Sequence, residues 1–148
     1  MTQYHDRVRN HIEAINAFFM EWVGGRCPDD DATFKAGALD RLSDSLTVVM
    51  PAGKAFGIAD FEGYMRGIYA TNPKFRIKMR KFELRQRIGD VAVVTYQEWQ
   101  RDALDSTPAN NGRFSTMVLR NMGERFEILH VHETWLPEEQ VSAGEFDF

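Results

Sequence analysis

The second half of the chain holds four segments of strand composition, joined by connections that suit only antiparallel neighbours. Residues 75–88, 91–103, 112–120 and 125–135 are rich in β-branched and aromatic side chains, which fit a pleated, half-buried surface. Gly89-Asp90, the loop over 105–111 and Asn121-Met122-Gly123 separate them with turn-favouring residues. Parallel neighbours need a long crossover, so these segments are expected to form an antiparallel meander. Long paired strands twist and coil, and such a sheet buries one face only against a second layer.

The first half supplies that layer. Tyr4, Val8, Ile12, Ile15, Phe18, Phe19 and Trp22 recur at three and four, which sets them on one face of a helix over 2–23. Thr2 can cap its start, and Gly24-Gly25 ends it. Pro28 and the run Asp29-Asp30-Asp31 predict a second helix over 30–42, with acidic charge at its positive end. A short strand over 46–50, closed by Pro51, precedes a third helix over 58–70 that stops before Asn72-Pro73. Three helices followed by a curved antiparallel sheet make an α+β domain with a hollow between its layers, a natural place for a ligand. With 148 residues, one domain over 1–140 is expected. Residues 141–148 lack an apolar period and are expected to form a flexible tail.

Charge and cysteine content narrow the function. A net charge of −4 does not suit a protein that must neutralise phosphates, so no nucleic-acid partner is expected. Arg76, Lys78 and Arg80 alternate onto one strand face and read as a solvated or dimer-bridging stripe. Cys27 is the single cysteine, which is compatible with a reducing compartment. No run reaches the roughly 18 apolar residues of a membrane span. The N-terminal residues also lack signal-peptide character, so a cytoplasmic protein without a membrane partner is expected.

The stretch Gly112-Arg113-Phe114-Ser115-Thr116-Met117-Val118-Leu119-Arg120 turns at Asn121-Met122-Gly123 into Phe126-Glu127-Ile128-Leu129-His130-Val131-His132-Glu133-Thr134-Trp135. This resembles the last hairpin of nuclear transport factor 2-like proteins, especially the SnoaL-like branch. It is also similar to the association (hub) domain of calcium/calmodulin-dependent kinase, which ends in a similar His-x-His strand. The resemblance implies a cystatin-like cone of helices packed on a curved antiparallel meander. In that superfamily the cone serves isomerases, dehydratases, epoxide hydrolases, polyketide cyclases and non-catalytic assembly domains. Where hub domains carry pocket arginines, this chain has Gln97, Met117 and Glu133, so the resemblance implies no carboxylate-binding pocket.

Glu133 is the first candidate for chemistry. Strand alternation sets Leu129, Val131, Glu133 and Trp135 on one face, and Ile128, His130, His132 and Thr134 on the other. A carboxylate on the mostly apolar face would be desolvated and its pKa raised, which suits a general acid or base. The competing reading is a structural pair with a neighbouring arginine. In the next candidate strand, one register turns Gln97 and Trp99 inward, and the alternative turns Tyr96 and Glu98 inward, an acid and a phenol suited to proton transfer. Met117, Trp22, Tyr64 and Trp135 are candidates to line the cavity, although aromatics at such spacing are more often core. His130 and His132 share a face, but no third ligand is near in sequence, so no metal is expected.

Two functions follow. One is a small-molecule pocket protein, or a cofactor-independent isomerase, dehydratase or cyclase using Glu133 with Gln97. The other is a non-catalytic ligand-binding or assembly module. Both are expected to dimerise through the outer sheet face around His130 and His132, with Ile128, Thr116, Val118 and Thr134 contributing.

Overall fold

The computed structural model describes residues 2–148, with the side chain of Thr2, and hence its expected cap, outside the described part. Helix α1 spans Thr2–Val23, and α2 spans Asp31–Gly37, followed by a 3-10 turn over Leu39–Arg41. Strands β1 (Leu42–Val49) and β2 (Ala55–Gly57) precede α3 (Ile58–Gly67). Strands β3 (Arg76–Ile88), β4 (Val91–Arg101), β5 (Asn111–Asn121) and β6 (Phe126–Trp135) follow, and a short α4 covers Glu138–Ser142. No described helix is long and apolar enough to cross a membrane.

The meander β3–β6 forms as its short turns require, but the sheet is larger than four strands. Its order is β2-β1-β6-β5-β4-β3, with β1 parallel to β6 and every other pair antiparallel. The physical reason is the free edge of β6, which would otherwise leave a row of backbone groups unpaired. Strand β1 fills it and directs Leu46 and Val48 into the core. The expected helix over 30–42 is therefore cut short. Asp30 caps α2 through a 2.8 Å bond from the Thr33 amide, but the chain is already extended by Leu42.

Helix α1 lies across the inner face of the sheet, with Val8, Ile12 and Ile15 wholly enclosed. Burial of each such side chain contributes about 1.5–3 kcal/mol. Its last turn enters a second cluster with Phe34, Ala38 and Met65. There Trp22 is fully buried, and its Nε1 donates to the Met65 carbonyl at 2.7 Å. Backbone bonds from Ala70 to Trp22 and from Asn72 to Val23 tie the segment after α3 to the end of α1.

Irregularities decide which way side chains point. Two register shifts interrupt β3, and Lys81 takes a φ of 58° at the first, bending that edge strand. A third shift falls in β6, where Val118 pairs with His130 and Leu119 with Ile128, leaving Leu129 as an extra residue. Ile128, expected on the outer face, is consequently turned into the core and almost wholly buried. After the bulge the alternation resumes, with Val131 and Glu133 inward and His132 and Thr134 exposed.

Residues 141–148, for which sequence offered no anchor, lie against the outer face of β3 and β4. Phe146 meets Trp99 edge-on at 5.5 Å, and the Arg80 guanidinium sits 5.0 Å above the Trp99 ring. Arg80 also donates to the Glu145 carbonyl at 3.0 Å, and Arg101 to that of Phe148. A Cβ on Gly144 would stand 2.3 Å from the Trp99 ring, so glycine is what allows this approach.

Candidate functional site

On the inner face of the meander the register aligns side chains into rows. Tyr96 stands opposite Ser115, and Ser115 opposite Glu133. Glu98 stands opposite Arg113, and Gln100 opposite Asn111. Cross-strand neighbours have Cβ atoms roughly 5 Å apart, so these groups necessarily interact. Tyr96, Glu98, Gln100, Arg113 and Glu133 floor one end of a cavity of about 400 Å³, within the usual size for small-molecule sites. Helices α1 and α3 roof it with Phe19, Phe61 and Met65, and the loop 102–110 brings Asp105 and Ser106 over the polar end.

Arg113 organises that end. Its Nη1 donates to Glu133 Oε1 at 2.9 Å, its Nη2 to Gln100 Oε1 at 3.1 Å and Ser106 Oγ at 3.0 Å, and its Nε to Asn111 Oδ1 at 3.3 Å. Gln100 Nε2 in turn donates to Glu98 Oε2 at 2.6 Å. Burial pushes the Glu133 carboxyl up to about 7, the Glu98 charge adds to the rise, and Arg113 opposes it without cancelling it. Both protonation states are therefore populated near neutrality. Burial, reinforced by Glu98 and Glu133, holds the Tyr96 phenol well above its ordinary value, which keeps its proton in place. The Ser115 hydroxyl, wholly buried between Tyr96 and Glu133, influences both but makes no hydrogen bond of ordinary geometry.

At the mouth, Tyr64 donates its phenol proton to Asp105, joining α3 to the loop 102–110. Burial first and that bond second hold the Tyr64 phenol above its ordinary range.

The cavity is lined by Glu133, Met117, Tyr64, Tyr96 and Glu98, as strand and helix periodicity allowed. Gln97 and Trp99 are not in it. The register of β4 turns them to the outer face, where Trp99 Nε1 donates to Gln97 Oε1 at 3.0 Å, so the alternative pair Tyr96 and Glu98 is the inward one. Trp22 is also outside the lining, because it packs between α2 and α3 in the second core cluster. Trp135 lies beyond the rim, 43% exposed, with Arg113 over its ring at 5.1 Å. Sequence reasoning missed Arg113, although it precedes Met117 by four residues and so shares its strand face. Asp105 and Ser106 carried no such periodic signal, being loop residues.

His130 and His132 lie on the outer face with ring centroids 6.2 Å apart. Among the described residues no three His, Cys, Asp or Glu side chains come together as a metal-binding group.

A family model described as a SnoaL-like domain matches residues 29–136. No curated protein sequence matches the chain. Among solved structures, a nuclear transport factor 2-like protein of unknown function from Pseudomonas aeruginosa is 24% identical, with a TM-score of 0.77 over 88% of this chain and 99% of that one. A protein from Shewanella frigidimarina, described as a candidate ketosteroid isomerase, is 16% identical, with a TM-score of 0.61 over 84% of this chain and 92% of that one. The association domain of the C. elegans calcium/calmodulin-dependent kinase II is 17% identical, with a TM-score of 0.60 over 90% and 95% respectively. At these identities the likeness is one of fold, which here is the cystatin-like arrangement of helices against a six-stranded mixed sheet.

Proposed function

This chain belongs to the SnoaL-like domain family, and from that premise we propose that its hollow binds a small organic molecule and moves a proton on it. The observation that carries the reading is Glu133, a carboxyl held to about 7 at the polar end of a mostly apolar cavity. A group poised near the working pH can both accept and return a proton, which is what a cofactor-independent isomerase, dehydratase or cyclase requires. Glu133 would take a proton from a carbon activated by a carbonyl. Tyr96, kept protonated by its surroundings, would donate a hydrogen bond to the oxygen on which charge develops. Arg113 orients Glu133 and limits the rise of its pKa. The description of a structural neighbour as a candidate ketosteroid isomerase is in keeping with this chemistry.

The test is exchange of solvent deuterium into a panel of cyclic ketones and enones, read by mass spectrometry. Incorporation by the wild type, falling at least about a hundred-fold in Glu133→Gln, supports the reading. Incorporation unaffected by that substitution removes Glu133 from the reaction.

Assembly through the outer sheet face is compatible with this reading. Phe114 is 37% exposed there, beside Thr116 and Val118. The likeness to a kinase association domain supports a second copy covering that face.

A further inference from the structure

We propose that the cavity selects ligands carrying a protonated amine next to an apolar body, with Glu98 as the group that receives the amine. The inference rests on the small-molecule reading of the hollow but not on catalysis there. Among the described residues Arg113 is the one cationic side chain in the lining, and each of its nitrogens already donates to a protein oxygen. A ligand carboxylate or phosphate would meet a cation already paired with Glu133.

The acceptors are in the opposite condition. Glu98 is 8% exposed and forms no ion pair with any described Lys or Arg. Among the described residues its one hydrogen bond, from Gln100, engages Oε2 and leaves Oε1 without a donor. Glu133 likewise receives Arg113 on Oε1 alone. Two carboxylates on one cavity wall are thus compensated by a single guanidinium. A buried charge without a partner is costly, so a cationic donor entering the cavity relieves a strain that a neutral donor relieves less and an anion worsens.

The remaining walls fit the rest of such a ligand. Phe19, Phe61, Phe75 and Tyr96 surround the space. Aromatic faces bury apolar carbon and also attract an ammonium group. The unpartnered Ser115 hydroxyl, fully enclosed beside Glu133, marks the same end as the one where hydrogen bonding is incomplete.

The experiment compares three probes of equal shape by calorimetry on the intact protein at pH 8: 4-phenylbutylamine, 4-phenylbutan-1-ol and 5-phenylpentanoate. The amine should bind at least about ten-fold more tightly than the alcohol, and the carboxylate more weakly than either. In Glu98→Gln, with folding verified by circular dichroism, the amine should fall to within about three-fold of the alcohol. Should that variant not fold, the order of the three probes on the wild type decides. Equal binding of amine and alcohol, or a preference for the amine that survives Glu98→Gln, overturns the assignment and leaves the pocket reading intact. Failure of all three probes to bind overturns both.

Discussion

Arg113 Nη1 lies 2.9 Å from Glu133 Oε1 with both side chains less than a tenth exposed, yet the carboxyl is held near 7 and not below its ordinary value. A guanidinium at that distance normally lowers a carboxyl's pKa. Here desolvation outweighs it, and the Glu98 charge adds to the excess. The balance leaves a buried acid with its proton exchangeable at neutral pH.

Removing Arg113 should show the two halves of that balance. In Arg113→Met, the Glu133 carboxyl loses the larger of the influences that oppose its rise and should titrate above 7, read by NMR of the side-chain carboxyl carbon. Breaking a buried pair costs about 3–5 kcal/mol when the remaining charge persists. Denaturation at pH 8 should therefore show a larger loss than at pH 6, where Glu133 sheds its charge by protonation.

Stability should depend on pH through two buried groups that act in opposite directions. Glu133 holds its proton more tightly folded than unfolded, so its contribution falls as pH rises from about 4.5 to about 7. His11 is held down to about 4, by burial first and then by Arg41, so unfolding takes up a proton and stability is lost as pH falls from 6.5 towards 4. Each amounts to roughly 3 kcal/mol. Urea titrations should therefore show Glu133→Gln gaining stability relative to wild type as pH rises through this range. His11→Gln should gain relative to wild type as pH falls.

Trp22 should matter for stability and not for ligands. Trp22→Ala removes a wholly enclosed ring and its bond to Met65, with an expected loss of about 3–5 kcal/mol in denaturant unfolding. Trp22→Phe keeps most of the packing. Its affinity for any cavity ligand should match the wild type within about two-fold, since the ring lies outside the lining.

Gly144→Ala should free the C-terminal segment. The added methyl would collide with Trp99, so the segment must lift and expose that ring. Acrylamide should then quench tryptophan emission more strongly than in the wild type, while thermal stability changes by less than about 1 kcal/mol.

The outer face should pair with a second copy. Sedimentation at micromolar concentration should give a dimer, and Phe114→Glu, which places a charge among Thr116, Val118 and His132, should give a monomer with an unchanged circular dichroism spectrum. A wild type that sediments only as monomer would refute the pairing.

Local pattern alone determined the long first helix and the four-stranded meander. Each rests on a period of 3.6 or 2 maintained over ten or more residues, or on turns too short to allow another pairing. Tertiary structure decided what no local period contains. Strand β1 entered the sheet parallel to β6 because an unpaired edge needed covering, and the Leu129 bulge reversed the face of Ile128. Tyr96 and Glu98 face the cavity, with Gln97 and Trp99 outside, because β4 and β5 pair in one register and the tail covers Trp99. Arg113 reaches Glu133 because the pairing of β5 with β6 sets Ser115 opposite Glu133, placing the arginine one inward position away. A strand's sequence states which residues share a face, but the partner strands choose which face is turned to the core.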